Sequence, residues 1–516
     1  MTTLKKAIIT IVLSLEALLL SGQSITTNLN VVVGNNRMTG KEIHATKYEF
    51  QDRIYKSRLD TSFQTLTLQL REVKSNGKYY KNKGELAVLD LKSREIKWSK
   101  EINYGNTTIE QYEGVLFWNK GLGSTTRIEL TTGKSLWNSN SIVFATIPYL
   151  NISLAYKYNS VFQELSKNLS CIDLTTGKVL WERPVDRSYG WYGLENLNDT
   201  TIIIKSSGLY QVNLKTGKGW NYDAKTVAKD YSKTVGAIVS GATLVLETGR
   251  FVASTGNNFI CNLVSNLKMD SLNLYFASKD YLTCLSHEGV VKWKVTLPNE
   301  TSHSSLILDS TRVILINNGE AEYNGKRCNY GKPYIAVFDR ESGAQNNLTL
   351  FDLDKNPLLD FIHGKDSIDL LFKDRSIRYS LNDGYVNTTT YDSEEIGDLE
   401  NTVEMFSTYI MLDSTFLSLH SVDSCAVYLM SNKEKVVKLN KNLGFDKNIP
   451  LDEIYLWRAE SDKYSFLYHD KKIFVTKNLN KVIAELNIGF NIFILDNKLY
   501  EINSNTITEI DLDAIF

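Results

Sequence analysis

Six histidines, five cysteines and 59 acidic side chains set against 58 basic ones are the residues of this 516-residue chain that could carry chemistry. Such groups hold a metal when two or more fall a few residues apart, as in a pair of histidines on one face or a Cys-x-x-Cys turn. His44, His287, His303, His363, His420 and His469 stand far apart, and no two of Cys171, Cys261, Cys284, Cys328 and Cys425 are adjacent. No glycine-rich loop leads from a strand into a helix to cradle phosphate, and no nucleophile elbow is present. The run Asp392-Ser393-Glu394-Glu395 lacks the alternating ligands of a calcium loop and reads as solvated surface. No catalytic residue and no metal site is expected.

What the chain does repeat is a strand, a tight turn and a tryptophan. The clearest copy is Cys171-Ile172-Asp173-Leu174-Thr175-Thr176-Gly177-Lys178-Val179-Leu180-Trp181. Arg127–Trp137 and Val88–Trp98 match it closely, and Gln211–Trp220 and Cys284–Trp293 more loosely. Trp98, Trp137, Trp181 and Trp220 follow one another at 39, 44 and 39 residues, and Trp293 comes 73 later, an interval that reads as two periods with one degenerate unit. The turn glycines Gly133, Gly177, Gly217, Gly289 and Gly343 supply the positive φ of a tight turn. A tryptophan at a repeated position after the turn can bury a large indole between neighbouring sheets. A period near 40 residues built of strand-turn-strand units marks a propeller.

These residues resemble the quinoprotein-type, or PQQ-like, β-propeller repeat: a strand, Asp, a short Thr-Gly-Lys turn, two residues and Trp. The resemblance is close over residues 86–293 and fades toward the end. It implies an all-β propeller of about eight four-stranded blades, kin in repeat to WD40- and YVTN-like propellers. Its members include quinoprotein alcohol and glucose dehydrogenases and a non-catalytic scaffold of the outer-membrane protein assembly machinery. The dehydrogenases hold pyrroloquinoline quinone with a cation, a carboxylate base and often two adjacent cysteines. This sequence shows no adjacent cysteines, so no cofactor is expected. The resemblance leans to the non-catalytic scaffold.

Beyond Trp293 come Tyr334–Gly343, Ser376–Gly384, Val436–Gly444, Ile473–Ile483 and Leu499–Asn505, making about ten hairpin units in all. Single rings typically have up to eight blades, so the surplus reads as extra hairpins in one ring, or as two smaller propellers in tandem. A ring has to close, because an open last sheet leaves an unpaired edge. The strand-like Ile25–Val33 is expected to pair with the C-terminal blade around Phe493–Asp511. Asn76–Gly84 and Asn324–Lys332 both read as long loops between the second and third strands of a blade. Their aromatics, Tyr79, Tyr80, Tyr323 and Tyr330, are candidate partner contacts.

Composition fits this reading. A content of 42% hydrophobic and 23% charged residues suits a globular fold with a sizeable core. A net charge of −1 recruits neither nucleic acid nor anionic membrane. Lys5-Lys6, the apolar stretch from Ala7 to Leu20 and Ser21-Gly22-Gln23 have the parts of a signal peptide. The expected organisation is a signal peptide over residues 1–23 and the propeller over 24–516, with no membrane span once the signal is removed. The expected product is a monomer, exported to the periplasm or the cell exterior, that binds an envelope or extracellular protein; the alternatives are a quinone-dependent or sugar-acting propeller enzyme, with polar groups assembled from several blades, and a ligand-binding sensor. Five cysteines leave at least one outside any disulfide within the chain, and Cys328, in an insertion, is the one expected at the surface.

Overall fold

The computed structural model describes residues 25–516 except 122, 160–163, 188–189, 230–258, 324–325, 354–355, 393, 398, 403–408, 414–415, 422–426, 432–435, 441–442, 450–453, 478–480 and 516. The expected signal peptide lies outside the described residues. All sheets are antiparallel: nine of four strands and one of eleven. Eight of the four-stranded sheets are blades, and in chain order they are blade 1 (residues 53–103), blade 2 (107–139), blade 3 (141–184), blade 4 (193–223), blade 5 (268–296), blade 6 (304–350), blade 7 (360–390) and blade 8 (399–449). The eleven-stranded sheet contains blade 9 (454–486) and blade 10, whose strands Ile492–Leu495, Lys498–Asn503 and Thr506–Asp511 are completed by Glu42–Phe50. The architecture is thus an all-β propeller, with ten blade-type sheets among the described residues.

Apolar side chains from facing sheets make one core layer per pair of neighbours. Val88 meets Leu116 between blades 1 and 2, Phe117 meets Val143 between 2 and 3, and Leu154 meets Ile204 between 3 and 4. Ile203 and Phe276, Tyr275 and Leu315, Ile314 and Leu370, and Leu371 and Val437 continue the series to blade 8. Phe466 and Leu499 join blades 9 and 10, and Tyr500 and Leu68 join blade 10 back to blade 1. Between blades 8 and 9 a hairpin, Tyr409–Asp413 with Phe416–Ser421, leaves blade 8 and pairs with Ile454–Glu460 of blade 9. Blade 1 is therefore met by the end of the chain rather than by a sheet midway, which argues for one ring over two in tandem.

Fourth strands such as Val179–Pro184 and Val291–Thr296 expose alternate side chains and form the rim, while second strands such as Thr201–Lys205 are buried throughout. Each repeat tryptophan, at the start of a fourth strand, crosses to the next blade and lies on its turn glycine. A Cβ placed on Gly133, Gly177, Gly217 or Gly343 would come within 2.6 or 2.7 Å of the ring of Trp98, Trp137, Trp181 or Trp293, and Gly289 sits under Trp220 in the same way. The indole Nε1–H then donates to a backbone carbonyl of that turn: Trp98 to Leu130 and Trp137 to Leu174 at 2.7 Å, Trp181 to Leu214 and Trp220 to His287 at 2.8 Å, and Trp293 to Arg340 at 3.2 Å. Glycine is required twice over, for space and for φ values of 70 to 81°. The interval between Trp220 and Trp293 hides no blade, since Trp220 seats directly on blade 5. The described residues between these two blades, 224–229 and 259–267, belong to neither of them.

Closure also differs from the expectation. Glu42–Phe50, not Ile25–Val33, pairs with Thr506–Asp511. The reason is burial: Ile43, Ala45, Tyr48 and Phe50 enter the core, whereas Thr26–Asn30 are exposed. The strand Ile25–Asn36 lies outside Glu42–Phe50 and reaches blade 9 only through Gly34–Asn36, opposite Leu486–Ala484. The seam between blades 10 and 1 carries an ion cluster around the buried carboxylate of Glu509. Glu509 Oε1 accepts from Arg94 at 2.8 Å and Lys498 at 2.7 Å, and Oε2 accepts from the Tyr48 hydroxyl at 3.0 Å. Arg94, at φ 65°, holds the turn position that glycine holds in blades 2 to 6. Burial works against the Glu509 carboxylate, but the three donors outweigh it and hold it below the ordinary carboxylate value.

Replacing Gly177 with Ala should cost at least ~1–2 kcal/mol through its φ alone, and more through collision with Trp137. Trp137→Phe, which keeps most of the apolar area but loses one hydrogen bond, should cost only ~1 kcal/mol. Urea midpoints of the two variants check the order. Because Glu509 is depressed in the folded state, its contribution is present above the unfolded value of 4.5 and is lost as pH falls below it. Glu509→Gln should therefore lower stability at pH 7 by ~1.5–3 kcal/mol, with the gap from the parent closing at pH 3 in thermal melts.

Candidate partner-binding face

In an antiparallel meander successive turns fall at opposite ends of the sheet. One end of every blade carries the turn between its third and fourth strands, the turn that holds the repeat glycine, and the turn between its first and second. The other end carries the turn between second and third strands and the link to the next blade. In blades 1 to 7 the first end is built of short turns cross-linked between blades, while in blade 8 the hairpin Tyr409–Asp413 with Phe416–Ser421 leaves from this end. Gly114 N–H donates to Asp60 of blade 1 at 2.7 Å, and the Tyr149 hydroxyl donates to the Asp199 carbonyl of blade 4 at 3.0 Å. At the same end Arg340 of blade 6 reaches blade 5, donating to Asp270 at 2.7 Å and to the Tyr275 hydroxyl at 3.3 Å. Among the described residues the second end carries the long additions of blade 1 and blades 4 to 6.

The first addition is the hairpin of blade 1. Its strands Thr65–Val73 and Tyr80–Asp90 have nine and eleven residues, close to the eight and ten of the same strands in blade 3 and against five and six in blade 4. Four or five extra residues at ~3.3 Å each carry the tip about 13–16 Å beyond the blade. Its base is stiffened by Arg71, whose guanidinium carbon lies 4.6, 5.3 and 5.2 Å from the ring centres of Tyr55, Tyr80 and Tyr104. Arg71 Nε also donates to the Lys81 carbonyl across the hairpin at 2.8 Å, and the Tyr104 hydroxyl donates to the Glu85 carbonyl at 2.9 Å. Cation–π contacts of this kind contribute ~0.5–1 kcal/mol each at partly exposed sites. At the tip Lys74, Lys78 and Tyr79 are exposed, Tyr79 to 63%. Lower down, Lys81 pairs with Glu72, and Lys83 with Glu101 at 3.2 Å.

The second addition is a separate four-stranded sheet. Ala228–Lys229 and Phe259–Cys261, from the link between blades 4 and 5, pair with the hairpin Glu320–Tyr323 and Lys326–Asn329 inserted in blade 6. It is tied down where Asn262 N–H donates to the Tyr192 hydroxyl at 3.2 Å and Asn262 Nδ2 donates to Glu322 at 3.2 Å. Tyr323 is half-buried in this sheet, opposite Ile260 and Lys326. Tyr330 is half-buried just beyond it, its hydroxyl pKa pushed up by burial. A cavity of 140 Å³ beside it is lined by Gly319, Asn329, Gly331, Pro333, Leu353 and Asn356 among others, well below the ~300 Å³ at which small-molecule sites begin.

Both sequence-predicted loops thus sit between second and third strands and at the same end of the ring. They belong to blades 1 and 6, five blades apart in a ring of ten, so they do not form one patch. Of the four candidate tyrosines, only Tyr79 presents an exposed ring; Tyr80 is committed to Arg71. Asn324-Gly325 lie outside the described residues. Cys171 and Cys284 are buried core residues. Cys328 is half-buried rather than exposed, and Cys261 lies in the same sheet. Directly opposed residues share a face, so Cys261 goes with Glu322 and Arg327, while Cys328 goes with Ala321 on the other side. Cys425 lies outside the described residues. No group of three or more metal-ligating side chains occurs among the described residues. The Arg71 stack and the Tyr192–Asn262–Glu322 chain had no signal in the sequence, because their members come from different strands and no spacing links them.

One titratable group stands out. Glu110, on the first strand of blade 2, is opposite Phe117 and so faces blade 3. Burial pushes its carboxyl up to about 7, although the Tyr112 hydroxyl, at 3.4 Å, and the positive charge of Arg58 act the other way. The folded state therefore holds this proton more tightly than the unfolded state does. The stability this gives is complete below 4.5 and lost as pH rises through about 7. Glu110→Gln should match the parent at pH 4.5 and exceed it at pH 8, by ~1–3 kcal/mol, in chemical denaturation.

The strand pairing, the indole-on-glycine contacts and the repeat spacing define a β-propeller whose repeats are similar to the PQQ-like type. Residues 72–262 match the family model described as outer membrane protein assembly factor BamB. No curated protein matches the chain. Among solved structures, BamB from Moraxella catarrhalis is similar at 10% identity over 78% of this chain and 96% of that one, with a TM-score of 0.26. AztD from Citrobacter koseri is similar at 9% identity over 72% and 92%, with a TM-score of 0.30. The C-terminal WD40 domain of Sif2 is similar at 10% identity over 81% and 99%, with a TM-score of 0.29. The architecture rests on the chain's own strand pairing rather than on these likenesses. No helix among the described residues is long and apolar enough to cross a membrane.

Proposed function

We propose that this chain is a non-enzymatic, exported propeller that binds another protein of the cell envelope through its elaborated face. The observation that carries this reading is the stiff hairpin of blade 1, which holds Tyr79, Lys74 and Lys78 clear of the ring. Stiffening the base before contact lowers the ordering cost of association, and an exposed tyrosine is a frequent hot-spot residue. The match of residues 72–262 to an assembly-factor family includes this hairpin and supports a scaffold role. Lysines at the contact make association sensitive to salt.

Replacing Lys74–Tyr79 with a two-residue Asn-Gly turn shortens the hairpin without touching Arg71 or the blade. The shortened protein should fold with an unchanged melting temperature and lose at least tenfold in affinity for a partner captured by crosslinking in cells. A partner held equally well by the shortened form would remove the hairpin from the contact. Titration with pyrroloquinoline quinone, with and without calcium, should show no heat of binding. Tight calcium-dependent binding would overturn the non-enzymatic reading.

A further inference from the structure

The seam between blades 1 and 2 holds a set of buried polar side chains. Thr67 lies directly opposite Val88 in blade 1, and Gln111 lies directly opposite Leu116 in blade 2. Directly opposed residues in an antiparallel pair share a face. Val88 and Leu116 belong to one core layer, so Thr67 and Gln111 both point into it. Thr65 is two residues before Thr67 on the same strand, and Trp118 is two after Leu116, so these face the same layer. Thr65, Thr67 and Gln111 are 0, 2 and 4% exposed. The two threonine hydroxyls, both ends of the Gln111 amide and the half-buried Trp118 Nε1–H have no hydrogen-bond partner in the protein.

Thr65, Thr67 and Gln111 also lie near one end of the seam, with Trp118 two residues further along its strand than Leu116. Thr65 is opposite Asp60, and Asp60 accepts from the N–H of Gly114, three residues after Gln111. Five orphaned polar atoms on facing sheets are too costly to leave dry, because each has given up its hydrogen bonds to water. Their chemistry is complementary to one ligand. The amide oxygen accepts, the amide nitrogen and the indole donate, and each hydroxyl does both. A molecule that donates and accepts in several directions and fits between closely packed sheets can serve all five.

We infer that the seam between blades 1 and 2 is a binding site for internal water, holding about two molecules between Thr65, Thr67, Gln111 and Trp118 at the ~3 hydrogen bonds per molecule usual for buried solvent. The site is neutral and small, and its occupants are part of the fold. Four other seams, from blades 2–3 to blades 5–6, carry an apolar layer with the indole on glycine. Here the same Trp98 lock sits above a wet layer.

A crystal structure at a resolution that shows ordered solvent should place water within hydrogen-bond distance of Gln111 Oε1 or Nε2 and of at least one of the two threonine hydroxyls. Oxygen-17 relaxation dispersion on the unmodified protein provides a second readout, and Gln111→Met with Thr67→Val should lower the count of long-lived waters by at least one. That double variant should melt within a few degrees of the parent, because it removes the polar groups together with their solvent. A dry seam in the crystal, with the Gln111 amide bonded directly to Thr65 or Thr67, would overturn the inference. So would an unchanged count of long-lived waters in a folded variant.

Discussion

Everything in this ring depends on one contact, the indole of one blade lying on the turn glycine of the next. The contact is specific because it is both steric and polar. The ring needs a glycine beneath it, since any Cβ would overlap it, and its N–H needs a carbonyl of the same turn. An apolar layer alone would let neighbouring sheets slide, because burial has no direction. The hydrogen bond fixes their register, and repetition through five blades fixes the pitch of half the ring.

The other half shows what happens when the contact is lost. In blade 6 the residue four places after Gly343 is Asn347, not tryptophan, and it lies over Gly384 at an ordinary 3.7 Å. From there the blades are held by apolar layers such as that between Ile314 and Leu370, and by the ion cluster at the closing seam. Glu509 does for blades 10 and 1 what an indole does elsewhere, joining a turn to its neighbour by directed bonds, with Arg94 standing where glycine would. Removing the glycine is tolerated there because no repeat tryptophan presses on that turn.

The propeller was legible because the lock leaves a trace of fixed composition at fixed spacing, and each of the ten hairpin units read from the sequence falls in a blade of its own. Three features were not legible, each for a physical reason. The interval before Trp293 looked like a lost blade because spacing cannot tell a degenerate repeat from an insertion; only Trp220 resting on Gly289 decides it. The closing strand was assigned to Ile25–Val33, whose β-branched run is the more conspicuous, whereas burial selects Ile43, Ala45, Tyr48 and Phe50. Of the partner loops, position was legible and exposure was not. Tyr80 and Tyr79 are neighbours in sequence, yet one is taken by Arg71 and the other is free to make contact.

Function escapes the sequence for the same reason that the fold does not. Repeats must agree with one another where blades touch, so the turns of the lock end recur in related form along blades 1 to 7. The opposite end is under no such constraint, because loops there contact no equivalent turn. It can take a hairpin several residues longer than its neighbours, or a whole extra sheet, without disturbing the lock. Each addition occurs once and has no pattern to be recognised by. At the end away from the lock, the blade 1 hairpin is set apart less by its length than by the Arg71 stack that stiffens its base.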